Sequence, residues 1–188
     1  MKRIAVFGSG SGGNAENLCN YFSKSKDIAV VFICTNNKSA FIVKRAKKLK
    51  IPIIYTTKKN LNGGGELNKA LKYYKVDFIV LAGFLLKIPS EMTTSYRKKI
   101  INLHPSLLPK YGGLGMYGDN VHRAVLENNE VETGITIHFV NQNYDEGEII
   151  LQKKCVISDN ETIESLRKKI SFLEFKYLPK AVEKTVLN

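Results

Sequence analysis

The sequence predicts a single α/β domain: a central, mostly parallel, twisted sheet flanked by helices, with an antiparallel C-terminal portion. Two observations lead there. Up to about residue 103, short apolar strands alternate with amphipathic helices, the signature of βαβ units covered on both faces. Past residue 130 the pattern changes to two strand-like segments in succession, followed by one long amphipathic helix. The chain has 188 residues, 44% of them hydrophobic, which suits one core and one domain spanning residues 1–188.

Taken in order, Ile4–Phe7 reads as a buried strand and Asn14–Ser25 as a helix with Ala15, Leu18 and Phe22 on one side. Ile28–Cys34 is the second strand, and Ser39–Lys50 a helix carrying Ile42, Ala46 and Leu49 in register. Pro52–Tyr55 is a short strand. Glu66–Tyr74 is a helix, preceded by Gly63-Gly64-Gly65, which reads as a flexible surface turn. Phe78–Leu81, a helix near Ser90–Lys98 and Ile100–Leu103 complete the alternating part. A glycine-rich loop, Lys110–Asp119, leads into a helix at about Val121–Asn128. Thr133–Val140 alternates as a half-exposed strand would, and Glu148–Ile157 reads as another. The spelling Ser158-x-x-Glu161 predicts a capping box opening the last helix, whose apolar positions Ile163, Leu166, Ile170, Leu173 and Tyr177 follow helical spacing up to Tyr177.

Composition narrows the setting. Cys19, Cys34 and Cys155 are odd in number, widely spaced and embedded in apolar patterns, so neither a disulfide framework nor a zinc site is expected and a reducing, cytoplasmic compartment is. The apolar runs are strand-length, and the one after Met1-Lys2-Arg3 is too short for a signal peptide. The net charge of +12 invites a nucleic-acid reading, but the lysines are spread along helices with no Arg-rich arm beside them. They read as a solvated surface that attracts small anions, with no nucleic-acid or membrane partner.

Two motifs carry chemistry. Gly8-Ser9-Gly10-Ser11-Gly12-Gly13 lies between a strand and a helix, where backbone N–H groups and the helix dipole favour an anion. A dinucleotide site also wants an acidic residue after the second strand; Cys34-Thr35-Asn36-Asn37 stands there instead, which argues against a nicotinamide cofactor. In Ile100–Pro109, Asn102 and His104 point to the same side of a strand, about 6.5–7 Å apart. They stand at the strand's carboxyl end, where open α/β sheets bind ligands. An amide beside an imidazole supplies two donors for an oxygen gaining negative charge, the oxyanion logic of acyl transfer. A structural Asn and His capping the strand fit the spacing equally well.

The run Asn-x-His-Pro-Ser-Leu-Leu-Pro, at Asn102–Pro109, resembles the signature of the folate-dependent formyltransferases. The likeness runs nearly end to end, through Ser9–Asn14, Leu81-Ala82-Gly83-Phe84, Gly134–Val140, Asp145-x-Gly147 and Ile149–Gln152. It implies a Rossmann-like formyltransferase fold, 10-formyltetrahydrofolate as donor co-substrate, no metal, and glycinamide ribonucleotide as the amine acceptor. By the same resemblance Asn102 and His104 polarise the formyl carbonyl, and Asp145 orients His104, keeps it protonated and assists proton transfer. Gly12, Gly13 and Asn14 are expected at the acceptor's phosphate, with Glu174 and Pro105 elsewhere on the acceptor and Lys169 as a lesser candidate for the phosphate. The folate is expected against Leu85, Leu86, Lys87 and Ile88 and against Asn143 and Tyr144. His138, with Thr136, is expected to support the site, and His122 to be peripheral.

Gly112–Asn120 is longer than the family's usual short turn and lacks the histidine found there, which puts the edge of the acceptor pocket in question. Family members that formylate a charged tRNA or hydrolyse the donor carry an additional domain, and the chain length argues against both. A catalytically silent nucleotide- or RNA-binding module is the alternative from another class. A monomer or weak homodimer is expected.

Overall fold

A computed structural model describes residues 1–61 and 65–188, so most of the expected Gly63–Gly65 turn lies outside the described residues. Seven strands form one sheet in the order β3-β2-β1-β4-β5-β6-β7. They are β1 (Lys2–Phe7), β2 (Ile28–Thr35), β3 (Ile53–Tyr55), β4 (Phe78–Leu81), β5 (Ile100–His104), β6 (Glu132–Phe139) and β7 (Ile149–Val156). β1 to β5 pair in parallel, whereas β6 runs antiparallel to both β5 and β7. This is the expected mostly parallel sheet with an antiparallel C-terminal portion.

The helices are α1 (Gly13–Phe22), α2 (Phe41–Lys48), α3 (Lys58–Leu61), α4 (Glu66–Tyr73), α5 (Ser90–Ser95), α6 (Asp119–Glu127) and α7 (Ile163–Leu187). Strand side chains alternate between two cores. Ile4 and Val6 join α1, α2, α6 and α7 on one face, while Ala5 and Phe7 join Leu67, Leu71 and Met92 of α4 and α5 on the other. The single turn α3, anchored by buried Leu61, has no counterpart in the sequence reading.

Three expectations need correction. β6 is not half-exposed: its residues Thr133–His138 are all buried. Ile135 and Ile137 pack into the α7-side core, and the polar face is covered by the segment after β5. There Thr136 Oγ1 donates to the Ser106 carbonyl at 2.6 Å and accepts from Leu108 N–H at 3.0 Å. The capping box of α7 is also one turn later than expected. Thr162 is the N-cap, paired with Ser165, while Ser158 and Glu161 close only the preceding turn.

Finally, α7 continues to Leu187 through Pro179, well past Tyr177. Proline has no N–H for the carbonyl four residues earlier. That carbonyl, of Phe175, instead accepts from Asn17 Nδ2 on α1 at 2.9 Å, so the interruption becomes a tie between helices.

Candidate active site

In this sheet order, β2 and β4 lie on opposite sides of β1, so the chain leaves the carboxyl end of β1 in one direction and returns in the other, opening a crevice there. The loops around it are tied together. Ser9 N–H donates to the Gly83 carbonyl at 2.9 Å, and Ser9 Oγ donates to Asn36 Oδ1 and accepts from Leu85 N–H. Gly12 ends the β1 loop with φ +75°, and a Cβ there would stand 2.6–2.7 Å from Ile42, so only glycine fits. This brings α1 close over α2 with no side chain capping its first turn.

A cavity of about 520 Å³ straddles this end of the sheet. On the α7 side it is lined by Gly12, Gly13, Asn14 and Glu174; on the other by Leu85–Ile88, with Asn143 and Tyr144 in the β6–β7 loop. Pro105 also lines it. Lys87 Nζ lies 5.1 Å from the Tyr144 ring centroid, linking two parts of that wall. Every residue assigned above to acceptor or folate, except Lys169, therefore meets this one cavity. Lys169 is instead bonded to Glu161, the Val156 carbonyl and Ser158, away from it.

Asn102, His104 and Asp145 converge on the cavity, and strand register explains how. Asn102 sits opposite His138 across the β5–β6 ladder, and its Nδ2 lies 3.1 Å from His138 Nε2. The second Nδ2 hydrogen points to Asp145 Oδ1 at 3.4 Å. His138 Nδ1 lies 2.8 Å from the Phe139 carbonyl, which can only accept, so Nδ1 carries the proton and Nε2 accepts from Asn102. By the same reasoning His104 Nε2, 2.7 Å from the Tyr111 carbonyl, carries a proton. Its Nδ1 faces Asp145 Oδ2 at 3.5 Å.

Asp145 occupies the left-handed region, φ +55°, which aspartate tolerates better than most residues. Two residues on, Gly147 lies where any Cβ would collide with the Phe139 carbonyl oxygen. This close approach folds the β6–β7 loop back over β5. Asp145 Oδ2 also accepts from Gly113 N–H at 2.9 Å, so the long glycine-rich loop is part of the site through its backbone.

Burial is the largest influence on His104; it pushes the pKa below the ordinary value, and the nearby Asp145 and Tyr111 carbonyl do not fully offset it. The expected raised pKa is thus a correction: at neutral pH the unliganded imidazole is neutral. For Asp145, burial acts upward but is outweighed by His138, His104 and Gly113 N–H, so its pKa is lowered and it stays ionised. Glu174 differs. Burial raises its pKa despite the 2.8 Å bond from Asn14 Nδ2, and no cation pairs with it among the described residues.

A carboxyl whose folded pKa is raised contributes stability at low pH that is lost as pH rises through the folded value. Glu174→Gln, which retains an acceptor for Asn14, should therefore raise the thermal midpoint relative to wild type at pH 8. The difference should shrink toward pH 4.5, the ordinary value. A midpoint lower than wild type across this range, by differential scanning fluorimetry, contradicts this account of Glu174.

The sequence reading missed several contributors. His122, expected to be peripheral, is buried on α6 and lines the cavity, as do Asp119 and Arg167. Arg167 shares a helix face with Glu174 seven residues on, a signal present in the spacing. The Tyr111 carbonyl and Gly113 N–H are backbone groups, which residue type does not reveal. Among the described residues, no group of three or more His, Cys, Asp or Glu is arranged to hold a metal ion. No described helix is long and apolar enough to cross a membrane.

A family model described as formyl transferase matches residues 2–182. The chain belongs to this family. Among similar relatives, the chloroplastic phosphoribosylglycinamide formyltransferase of Arabidopsis thaliana is 40% identical over 93% of the chain, which spans 62% of that protein's length. The phosphoribosylglycinamide formyltransferase of Haemophilus influenzae is 35% identical, over 97% of the chain and 86% of its own length. The crystal structure of phosphoribosylglycinamide formyltransferase from Anaplasma phagocytophilum superposes with a TM-score of 0.90. That match has 30% identity and covers 100% of this chain and 87% of the other.

Proposed function

We propose that this formyl transferase moves the formyl group of 10-formyltetrahydrofolate onto the amine of glycinamide ribonucleotide, a step of purine biosynthesis. The observation that carries the reading is the convergence of Asn102, His104 and Asp145 on one cavity whose two sides offer different chemistry. The backbone and apolar side chains of Leu85–Ile88 with the Tyr144 ring suit a flat pterin, whose faces are apolar and whose edge needs hydrogen bonds, and the uncapped start of α1 with Glu174 suits a phosphorylated sugar.

The amine attacks the formyl carbon, a C–N bond forms, and the carbonyl oxygen becomes an oxyanion. Asn102 donates to that oxygen by releasing the longer of its two Nδ2 contacts, the one to Asp145. His104 rests neutral with the Nδ1 lone pair facing Asp145, so it accepts the amine proton. The resulting imidazolium is held between the Tyr111 carbonyl and the Asp145 carboxylate, and its positive charge stabilises the oxyanion beside it. Collapse of the intermediate breaks the bond to N10, which takes up the proton held by His104 as tetrahydrofolate leaves, so the imidazole returns to its neutral form. No covalent formyl-enzyme is required.

Direct transfer needs both substrates in the cavity together. Initial rates with both concentrations varied should give intersecting reciprocal plots. Parallel lines would indicate a formyl-enzyme and overturn the direct mechanism, and absence of turnover would overturn the activity.

A further inference from the structure

Lys87 and Arg167 are the lysine and arginine that line the cavity among the described residues, and they lie on different walls. Lys87 sits over Tyr144 on the side assigned to folate. Arg167 projects from α7 on the acceptor side, on the same helix face as Ile170, Ser171 and Glu174, about 10 Å along the axis from Glu174. Glu174 is in turn bonded to Asn14 in the first turn of α1. Asn14 Oδ1 is buried without a hydrogen-bond partner, the orphan side-chain atom of the described residues. The acceptor wall therefore holds an uncapped helix start, an unused acceptor and one guanidinium.

That guanidinium already grips an anion. Arg167 Nε donates to Asp119 Oδ1 at 3.0 Å and Nη2 to Asp119 Oδ2 at 2.6 Å, a two-pronged fork. Asp119 opens α6 at the end of the glycine-rich loop, after Gly113, Gly115 and Gly118, all with positive φ. Both side chains are about half exposed, 51% and 47%. An exposed pair of this kind adds little to stability. The fork geometry that fits a carboxylate also fits a phosphate, which carries more charge and more acceptor oxygens.

We propose that Arg167 is the counter-charge for the acceptor's phosphate, and that Asp119 occupies its guanidinium when no phosphate is bound. The inference rests on the reading of the acceptor as a phosphorylated ribosyl amine. It gives the long glycine-rich loop a purpose: the loop carries the stand-in carboxylate and backs away when phosphate takes the guanidinium.

The test compares wild type, Arg167→Gln and Asp119→Asn with glycinamide ribonucleotide and its dephosphorylated riboside. Arg167→Gln should raise the KM for the ribonucleotide about 10- to 100-fold, the scale of losing charge-assisted hydrogen bonds. It should leave the KM for folate near wild type and abolish most of the preference for the phosphorylated acceptor. Asp119→Asn should lower the ribonucleotide KM, because the guanidinium no longer has to be released from a carboxylate. A phosphate preference untouched by Arg167→Gln overturns the inference. So does an equal rise in KM for both variants, which would mark the pair as a mere tie between α6 and α7. If wild type formylates neither compound, the functional reading falls and the inference with it; if it formylates with a preference that Arg167→Gln leaves intact, only the inference falls.

Discussion

Replacing His104 with alanine should lower kcat by about 10²–10⁴, the usual scale for removing a positioned acid–base group. Two features make this the largest expected loss. The Tyr111 carbonyl fixes which nitrogen carries the proton, and burial keeps the free imidazole neutral, so His104 meets the attacking amine with its lone pair available. No neighbour can substitute, because His138 already spends Nδ1 on the Phe139 carbonyl and Nε2 on Asn102. The KM for the acceptor should change far less than kcat, because the proposed phosphate and ribose contacts lie on the α1 and α7 wall. Turnover near wild type in a variant with native circular dichroism would mean that His104 is a structural residue.

Asp145→Asn comes next, with kcat reduced by about 10²–10³, comparable to the loss of one oxyanion-stabilising group. The carboxylate meets four groups at once: His104, His138, Asn102 and Gly113 N–H. Asparagine tolerates the same left-handed backbone and keeps an oxygen for Gly113, so the loop should hold its path. What disappears is the negative charge that stabilises the imidazolium after proton transfer. The pH–rate profile should show it: without that charge the imidazolium is weaker, and the pH dependence attributed to His104 moves to lower pH. A shift to higher pH, or no kinetic loss, would contradict the role given to Asp145. Asp145→Ala, which also lacks a side chain suited to this backbone region, should be worse folded as well as slower.

Most of the sheet was legible because its parallel strands are apolar on both faces and punctuated by amphipathic helices, a local pattern. β6 was not, because Gly134, Thr136 and His138 look solvent-facing, and only the fold shows that Ser106–Leu108 cover Gly134 and Thr136 while Asn102 and Asp145 face His138. The helical spacing was followed only to Tyr177, and what lets α7 run on through Pro179 was not legible: the donor to the Phe175 carbonyl, Asn17, lies on α1, far away in sequence. Within the site, Asn102 and His104 stood out by alternation on one strand. Asp145 needed the family resemblance, since Asp-Glu-Gly alone reads as a turn. The protonation of His104 went the other way from the sequence reading, because a neighbouring carboxylate is visible in sequence motifs while burial is not. His122 and Asp119 became visible only when α6 packed beside α7 over the cavity, whereas Arg167 had one sequence signal, its seven-residue spacing from Glu174.

The most direct test of the central claim follows the formyl group itself. Purified protein is mixed with 10-formyltetrahydrofolate carrying an isotopic label in the formyl carbon and with glycinamide ribonucleotide, and the products are resolved by mass spectrometry. The account predicts labelled formylglycinamide ribonucleotide formed one for one with tetrahydrofolate, and almost none with Asp145→Asn. Label appearing as free formate whether or not the amine is present, or remaining on the folate with correctly folded protein, would contradict it.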